Sequence, residues 1–509
     1  MRRRKFLHHS LLTCSVLAMD ASTHLFEIYK KKYGWTRALA KSVKHPEIQF
    51  PPEKRIPLGW PAFPVSHRSE HTVLHFEKPT QTSSQAWLRL TAAIDFREEK
   101  KIDVLLPKSG EKIGQFNIRY AHPFQPFQVK VMKKHLRKIQ KDGIELRQIT
   151  GKKDAWFFGP TIDHKDSLGF HPHLLIGSNE SALSTFKQNM YGLQVLSPFG
   201  WMGGCVLDAL SEMEKTGDQK AAENLSRHLS HFLHEDYGVR YENPHTEPLD
   251  GRFNSIEDFL PFSAIIRKRP QHPSIERAMQ FLLQYEQPDG LIISGNKMST
   301  EGCYTVAYPL AVWAVYKHDA AIAQKSIRQI SLRARYLMSD HGIHQQGTRD
   351  GSLAFKNWGR GIAWLMLGTA KVIRELKEGG FDHLPALVEL TYILQRAAAL
   401  VTHLQTSDGL WRSFIDRPEV AIDTSASAGI AAALAWGNYI GILEERYTDQ
   451  AELTQQNLPR FLTADGLLTQ VSQINRGGES LQASDYRVIA QFGMGLMAQL
   501  DAALNYLQN

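Results

Sequence analysis

The chain has 509 residues, of which 42% are hydrophobic and 22% are charged, and its formal net charge is +8. This composition excludes a disordered or fibrous protein, and the length exceeds that of one ordinary domain. No run of 18 or more apolar residues occurs, so the sequence predicts no membrane-spanning helix.

The amino terminus has the pattern of a targeting segment. Arg2 and Arg3 are followed by Lys5, Phe6 and Leu7, and a short apolar stretch covers residues 11–18. Paired arginines before such a stretch resemble a twin-arginine export signal. We therefore predict a signal over residues 1–25 and a periplasmic or extracellular location, with a cytoplasmic basic tail as the alternative.

Residues 26–180 are predicted to form a β-sandwich-like domain. Short runs with alternating apolar residues, separated by turn residues, lie at 72–76, 87–90, 102–106, 116–120, 144–149 and 156–158. Period-2 alternation of this kind is typical of half-buried antiparallel strands. The densest basic stretch, residues 130–138, has no interleaved aromatic residue and no motif that reads DNA or RNA. The positive charge therefore favours an anionic partner, namely an acidic oligosaccharide or polysaccharide or a membrane surface, over nucleic acid.

From about residue 181 to residue 509 the period becomes helical and a turn recurs. Each marked unit ends in a turn whose glycine follows a helix, at Gly238, Gly290, Gly342, Gly409 and Gly466. Helices rich in small residues alternate with helices that carry more charge, as expected for an inner and an outer ring. Five marked units and one further helix predict an (α/α)6 toroid of the six-hairpin glycosidase type, with an open solenoid as the alternative.

In such a toroid the beginnings of the inner helices line one cavity, and four of these junctions carry polar or aromatic residues. Glu257 and Asp258 lie in the first, although one of the two could simply cap a helix. Glu301 lies in the second, before a very apolar helix whose burial would raise the pKa of a carboxyl group towards that of a general acid. Tyr304 follows it three positions later.

The third and fourth junctions carry groups that suit a sugar. Arg360 and Trp364 are four residues apart, hence on one helical face, and Trp358 precedes them. An arginine beside indole rings can bind a carboxylate while a sugar ring stacks on the aromatic surface. The fourth junction contains Trp411 and Arg412, followed by Asp423, which is more typical of a helix cap; these residues complete the predicted substrate-binding set.

The sequence offers no metal or cofactor signature. The cysteines Cys14, Cys205 and Cys303 lie far apart, no HExxH motif occurs, and the histidines lack ligand spacing. We predict neither a metal nor another cofactor, and the oligomeric state stays open.

The segments that begin at Trp358, Asp408 and Asp423 resemble, in order and spacing, those of unsaturated glucuronyl and rhamnogalacturonyl hydrolases, glycoside hydrolase families 88 and 105. The resemblance covers roughly residues 181–509 and implies an (α/α)6 barrel. It also implies that an acid protonates the C4=C5 double bond of an unsaturated uronide, that the bond is hydrated, and that the hemiketal breaks down.

Carried over to this sequence, the resemblance places the proton donor at Glu301, where the family has Asp. The second acid falls on Glu257 or Asp258, and Gln346 stands where family members have His. The chain thus departs from the family pattern at two positions, which leaves ordinary hydrolysis of a saturated uronide open.

We predict a glycoside hydrolase that acts on uronic-acid-containing oligosaccharides, at a terminal, saturated or unsaturated uronide. Two other functions stay open at this stage. One is a polysaccharide lyase, which would use Tyr304 or His344 as its base, and the other is a non-catalytic oligosaccharide-binding protein.

Overall fold

The structure is a computed structural model that describes residues 34–67, 70–78, 85–160 and 167–508. The predicted export signal at residues 1–25 lies outside the described residues. Among the helices that the structure describes, none combines the length and the apolar composition that crossing a bilayer requires.

The first part of the chain is built from antiparallel strands. Its strands are β1 (Trp35–Lys44), β2 (Ala62–Val65), β3 (Thr72–Phe76), β4 (Gln85–Thr91), β5 (Glu99–Leu105), β6 (Lys112–Arg119), β7 (Pro126–Met132), β8 (Ile144–Gln148), β9 (Ala155–Phe158) and β10 (His173–Gly177). Eight of them form a sheet in the order β6-β5-β8-β3-β1-β10-β4-β7, and β2 pairs with β9.

Strand β1 divides this sheet into two halves. Its beginning pairs with β10 and its end pairs with β3, with an irregular register between Ala40 and Ser42. A strand that changes partners at a bulge is how one sheet folds over into two layers. The six predicted runs all fall on strands, whereas β1, β2, β7, β10 and a helix, α1 (Lys133–Asp142), were not predicted. The basic stretch at residues 130–138 thus crosses from β7 into α1, and most of its lysines are exposed.

Helices dominate the remainder of the chain. They are α2 (Ala182–Met190), α3 (Trp201–Lys215), α4 (Gln219–Ser230), α5 (Phe262–Lys268), α6 (Ser274–Leu283), α7 (Tyr308–Lys317), α8 (Ala320–Leu337), α9 (Gly359–Glu378), α10 (Leu387–Thr402), α11 (Thr424–Tyr439), α12 (Glu445–Asn457), α13 (Gly478–Ala483) and α14 (Gln491–Gln508).

Short strands connect these helices. They are β11 (Leu233–His234), β12 (Gly238–Glu242), β13 (Pro248–Asp250), β14 (Lys297–Ser299), β15 (Met338–Ser339), β16 (Gly342–Thr348), β17 (Leu353–Lys356), β18 (Val471–Ser472) and β19 (Arg487–Val488).

Six helices of the described residues form a closed inner ring. In order, α3, α5, α7, α9, α11 and α14 each contact the next, and α14 contacts α3 again. Closure requires close backbone approach, which small residues allow. A Cβ atom at Gly368 would lie 2.3 Å from the carbonyl oxygen of Cys303, and one at Gly495 would lie 2.7 Å from the backbone of Cys205. An open solenoid would keep its first and last helices apart, so the contact between α14 and α3 favours the predicted toroid.

The recurring turn has the backbone geometry that its glycine suggests. Gly238, Gly290, Gly342, Gly409 and Gly466 all have positive φ angles, between 73° and 142°. This region favours glycine because other residues meet a steric penalty from Cβ. One large apolar core extends from the strands into the helices, and the division into domains near residue 180 stays a prediction.

Candidate active site

Glu301 lies at the beginning of an inner helix, where the sequence predicts a catalytic acid. A π-helical turn, Cys303–Ala307, follows it and continues into α7. The residue is only 8% exposed, and its Oε1 atom has no hydrogen-bond partner among the described residues. The side chain makes no capping contact, since Gly302 stands at the cap position. The carboxyl group is therefore buried without a structural bond to that oxygen.

The two acids of the first junction have different environments. Asp258 Oδ2 accepts hydrogen bonds from the Tyr241 hydroxyl at 2.6 Å and from the backbone N–H groups of Asn254 at 2.8 Å and Ser255 at 3.2 Å. These bonds form a capping box around the short helix Ile256–Phe259. Asp258 is thus held as a cap, whereas the carboxyl group of Glu257 interacts electrostatically with Glu301.

Burial and like charge together raise the pKa of Glu301. Desolvation is the largest cause and the charge of Glu257 adds to it, while Arg360 and Arg476 oppose the shift, so the pKa stands well above its usual value. The pKa of Glu257 is also raised, by burial and then by the charge of Asp258. Two such carboxyls favour a state in which Glu301 keeps its proton, the form that a general acid needs.

Arg360 is held by the protein more tightly than the sequence predicts. It is 1% exposed, Nη1 donates to the carbonyl oxygen of Ser472 at 2.7 Å, and Nη2 donates to that of Gln473 at 2.7 Å. Its guanidinium lies 4.6 Å from the ring centre of Trp358 and 5.1 Å from that of Phe492. Arg360 therefore acts first as a brace for the 472–473 backbone, and Trp358 lies behind it rather than on an open cleft.

Asp423 is a helix cap, as its position in the sequence suggests. Its Oδ1 accepts from the backbone N–H of Ser425 at 2.9 Å, from the Ser425 hydroxyl at 2.6 Å and from the backbone N–H of Ser472 at 3.2 Å. Oδ2 lies 3.8 Å from Arg360 Nη1. The residue thus fixes the beginning of α11 and the segment that Arg360 braces.

Aromatic side chains pack in a row from Trp364 to the beginning of the inner helix α3. Trp364 stacks on Tyr304 with ring centres 5.8 Å apart and meets Trp201 edge-on at 5.7 Å. Trp201, the first residue of α3, is half-buried. Tyr304 is fully buried and donates its hydroxyl hydrogen to Asp208, and burial raises its pKa well above the usual value. Its phenol is therefore poorly suited to act as the base of a lyase.

Three predicted substrate-binding residues lie elsewhere. Trp411 is fully buried in the helical core, where its indole N–H donates to Val401 at 2.9 Å, and Arg412 donates to Val420 at 2.8 Å. Both side chains are held by core contacts of the 401–422 region, so we leave them out of the proposed site. Neighbouring side chains of a strand point to opposite faces, and Gln346 occupies the outward face of β16.

Gln345, the neighbour of Gln346, lies on the inward face of β16. It is 2% exposed, lies against Gly361 at the beginning of α9, and its Oε1 atom has no hydrogen-bond partner among the described residues. Its carbonyl oxygen accepts from the backbone N–H of Thr300, directly before Glu301. His344, the other candidate lyase base, shares the outward face with Gln346, and burial lowers its pKa.

Sequence reasoning missed Arg476, Gln345 and Trp201. Arg476 is exposed in the short helix Asn475–Gly477, yet its charge acts on both Glu257 and Glu301. It stands in the run Ile-Asn-Arg-Gly-Gly, which has no periodicity and no motif. Trp201 could have been found, because it occupies the same position on its inner helix as the other junction residues.

A cavity of about 400 Å³ is lined by residues other than these carboxyl groups. Arg240 and Glu242 line it, on the face of β12 opposite to Tyr241. Glu242 pairs with Arg55, Oε1 to Nε, at 2.5 Å. In this cavity the carboxyl group of Glu242 is therefore held by Arg55, while burial raises its pKa. Within the residues that the structure describes, no group of three or more His, Cys, Asp or Glu side chains is placed to hold a metal ion.

Comparisons with known proteins identify the family of the helical part of the chain. The sequence model of Glycosyl Hydrolase Family 88 matches residues 178–506. The chain is 29% identical over 163 residues to an unsaturated 3S-rhamnoglycuronyl hydrolase of Alteromonas sp. (strain LOR) and 30% identical over 145 residues to an unsaturated rhamnogalacturonyl hydrolase of Bacillus subtilis (strain 168). These matches cover 30% and 27% of this chain and 38% of each relative.

The fold is shared with a solved family 105 glycoside hydrolase of C. acetobutylicum ATCC 824, with a TM-score of 0.54 at 16% identity, over 65% of this chain and 100% of that one. The curated relatives are matched over well under half of their length, and the structural likeness concerns the fold alone. The match of the family model, in contrast, extends over most of the chain and includes Glu257, Glu301 and Arg360. The chain therefore belongs to glycosyl hydrolase family 88.

Proposed function

We propose that this protein is a glycoside hydrolase that removes an unsaturated uronide from the end of an acidic oligosaccharide. The observation that carries the proposal is the buried carboxyl group of Glu301, whose pKa is raised by burial and by Glu257. A carboxylic acid whose pKa is raised keeps its proton to higher pH, and protonation of a C=C bond requires such a donor. Membership of family 88 and two relatives named as unsaturated uronyl hydrolases support the same reaction class.

The two glutamates divide the work in this proposal. Glu301 transfers its proton to C4 of the C4=C5 double bond, and the positive charge that develops at C5 is shared with the ring oxygen. Water adds at C5 and gives up a proton to the carboxylate of Glu257. The proton then returns to Glu301 within the pair, because burial and the negative charge that Glu257 regains favour the protonated form of Glu301.

Product release follows from the hemiketal that hydration creates. The hemiketal at C5 opens to a ketone, which leaves C1 as a hemiacetal that carries the aglycone. The hemiacetal breaks down to an aldehyde and releases the aglycone sugar with its hydroxyl group. No cofactor enters these steps, since every proton and electron pair moves between substrate, water and the two carboxyl groups.

Positive charge near the acids supports an anionic substrate. Arg360 and Arg476 both act on Glu301, and Arg476 is exposed. An exposed guanidinium can bind a uronate carboxylate in two-point fashion without breaking existing contacts. We therefore assign contact with the uronate to Arg476, and we assign to Arg360 the support of the segment that carries Arg476.

The proposal is tested by incubating the purified protein with matched unsaturated and saturated uronyl disaccharides. We expect the ultraviolet absorbance of the double bond to disappear and one new reducing sugar to form per bond lost, from the unsaturated substrate only. If a sugar is released from the saturated disaccharide only, the reaction is direct hydrolysis and not hydration of a double bond. A rise in absorbance on a polysaccharide would indicate a lyase, and binding without product would indicate a binding protein.

We further propose that residues 1–25 export the protein through a twin-arginine route. Arg2 and Arg3 before a short apolar stretch support this. A fusion of residues 1–25 to a reporter enzyme should reach the periplasm, and the double variant R2K/R3K should keep it in the cytoplasm. Equal distribution of the two fusions would contradict the proposal.

A further inference from the structure

One loop of the β-rich region contacts the barrel segment that leads to Arg476. Residues 120–125 connect β6 to β7 and lie against the barrel segment between β18 and α14. Gln491 at the beginning of α14 donates to the carbonyl oxygen of Phe124 at 2.6 Å. On the barrel side the central residue is Gln473, which directly follows β18 and is 1% exposed.

Gln473 faces the two parts of the molecule with different atoms. Its side-chain Nε2 donates to the carbonyl oxygen of Arg119 at 2.8 Å and to Gln125 Oε1 at 3.2 Å, both in the β-rich region. Its own carbonyl oxygen accepts from Arg360 Nη2 at 2.7 Å and from Gln482 at 2.9 Å. One residue thus joins the loop of the β-rich region to the arginine beside Glu301.

A second contact runs in parallel through an aromatic ring. The His122 ring lies 6.5 Å from the ring of Phe492, and the Arg360 guanidinium lies 5.1 Å from the same ring. His122 is 4% exposed, Nδ1 contacts the carbonyl oxygen of Pro123 at 2.8 Å, and Nε2 has no hydrogen-bond partner among the described residues. The loop therefore supports Arg360 from two directions.

We propose that the β-rich region is a working part of the candidate active site, in which its 119–125 segment holds Gln473 and Gln473 in turn positions Arg360. Gln473 is thus a positioning residue, since it acts on substrate only through Arg476, which lies three residues further along the segment that Arg360 supports. The inference rests on the proposed function, because it predicts that affinity for an anionic sugar depends on a segment outside the 178–506 family match.

The test uses the full-length protein and two variants at the same interface. Gln473→Met keeps a similar side-chain size and the carbonyl oxygen but removes the amide bonds to the loop. Tyr486→Phe is the matched control. The Tyr486 hydroxyl accepts a hydrogen bond from the backbone N–H of Arg119 at 3.0 Å and donates one to the carbonyl oxygen of Asn117 at 3.1 Å, and neither bond involves Arg360. Both variants are made in a Glu301→Gln background so that an unsaturated uronyl disaccharide binds without turnover.

Calorimetry then gives the dissociation constant, and hydrogen exchange reports on residues 471–477 without any ligand. We expect Gln473→Met to raise Kd about tenfold, which is ~1.4 kcal/mol, and to speed amide exchange in residues 471–477. Tyr486→Phe should change Kd by less than about twofold. A normal Kd for Gln473→Met, or equal weakening by both variants, would overturn the inference and leave the proposed function intact.

Binding by the Glu301→Gln parent protein tests the proposed function itself. If the Glu301→Gln parent binds no uronyl disaccharide, the proposed function is wrong. Hydrogen exchange then decides the positioning of the 471–477 segment by itself. Ile474 is left out of the comparison, because its own N–H donates to Gln473 Oε1 at 2.8 Å. Unchanged exchange at the other residues in Gln473→Met would show that the loop does not hold this segment, and faster exchange there, confined to that variant, would show that it does.

Discussion

The carboxylate of Asp465, in the last repeat turn of the barrel, accepts a hydrogen bond from Arg89 of β4 at 2.6 Å, with both side chains fully buried. Arg37 of β1 donates to the same oxygen at 2.7 Å. In an earlier turn the equivalent Asp408 pairs instead with Arg460, which follows α12, and that pair is exposed. One repeat position thus serves at one turn as a surface contact and at another as the joint between sheet and barrel.

Replacing Asp465 by asparagine should destabilise the protein strongly. Asp465→Asn leaves Arg89 buried without its countercharge, and breaking a buried ion pair costs about 3–5 kcal/mol. Asp408→Asn, the matched control, should cost about 1 kcal/mol or less because its pair is exposed to solvent. Chemical denaturation of both variants measures the difference, and equal losses would contradict the assignment of Asp465 as the joint.

The same ion pairs predict how stability depends on pH. The arginines hold the pKa of Asp465 far below its usual value, so its contribution is present above the pKa of the unfolded chain and is lost as pH falls. We expect the free energy of unfolding of the wild type to fall on acidification more steeply than that of Asp465→Asn. Parallel curves for the two proteins would show that another group governs the acid limb.

The toroid could be predicted from sequence because its signal repeats. Each glycine turn and each small-residue helix occurs several times, and the periodicity changes once, near residue 180. The missed elements lack such signals. β1 is interrupted by a bulge and β7 begins at Pro126, while α1 consists almost entirely of charged and polar residues, which a search for an apolar stripe overlooks.

The site could be predicted only in part, because the sequence shows neither which face of a strand points inward nor which distant groups a side chain binds. Glu301 was found because the following helix is apolar throughout, which implies burial. Gln345 was not considered, because sequence position alone does not determine which face of β16 points inward. The backbone carbonyl groups that Arg360 binds belong to residues more than 110 positions away. No local pattern could therefore have revealed that both Nη atoms of its guanidinium already donate to the protein.

Arg360→Lys tests whether the guanidinium of Arg360 supports the backbone of residues 472–473. Lysine keeps the charge but lacks the planar fork that reaches both Ser472 and Gln473, so we expect a loss of affinity for a uronyl sugar of roughly 1.5–3 kcal/mol. Stability should fall as well, because a buried carbonyl group loses its partner. Calorimetry and denaturation on the same variant separate the effects. Lower stability with unchanged affinity would show that Arg360 supports the fold alone.

Arg476→Ala should weaken substrate binding without the loss of stability that we expect for Arg360→Lys. The side chain is exposed, so its removal should change stability by no more than about 0.5 kcal/mol. We expect KM for an unsaturated uronyl disaccharide to rise several-fold and the pKa of Glu301 to rise further, since Arg476 lowers it. Arg269→Ala, an exposed arginine at the far end of α5, is the control. Equal KM values for the two variants would remove Arg476 from the site.

Glu257→Gln should shift the pH profile of the reaction. Its negative charge raises the pKa of Glu301, so the neutral amide should lower that pKa. The proton donor is then lost at lower pH, and the alkaline limb of the rate profile should move in that direction while the maximal rate also falls. Asp258→Asn should mainly cost stability, about 0.5–2 kcal/mol, as expected for a helix cap. If the alkaline limb does not move in Glu257→Gln, the charge of Glu257 does not govern the pKa of the proton donor.

The decisive variant is Glu301→Gln, which keeps size and hydrogen-bonding capacity but has no carboxylic proton to give. If Glu301 is the general acid, turnover should fall about 10²–10⁴-fold while the disaccharide still binds. Stability should not fall, because the side chain is not a helix cap and its Oε1 atom lacks a hydrogen-bond partner among the described residues.

The raised pKa of Glu301 also gives this variant a pH signature. The folded state holds the proton more tightly than the unfolded chain does, so the wild type loses stability as pH rises from the unfolded pKa to the folded one. Glu301→Gln has no such proton and should therefore gain stability relative to the wild type as pH increases through that window. Melting curves at several pH values, measured beside turnover, test both roles at once. Full activity together with a lowered melting temperature would falsify the assignment of Glu301 as proton donor and leave Glu257 as the remaining candidate acid.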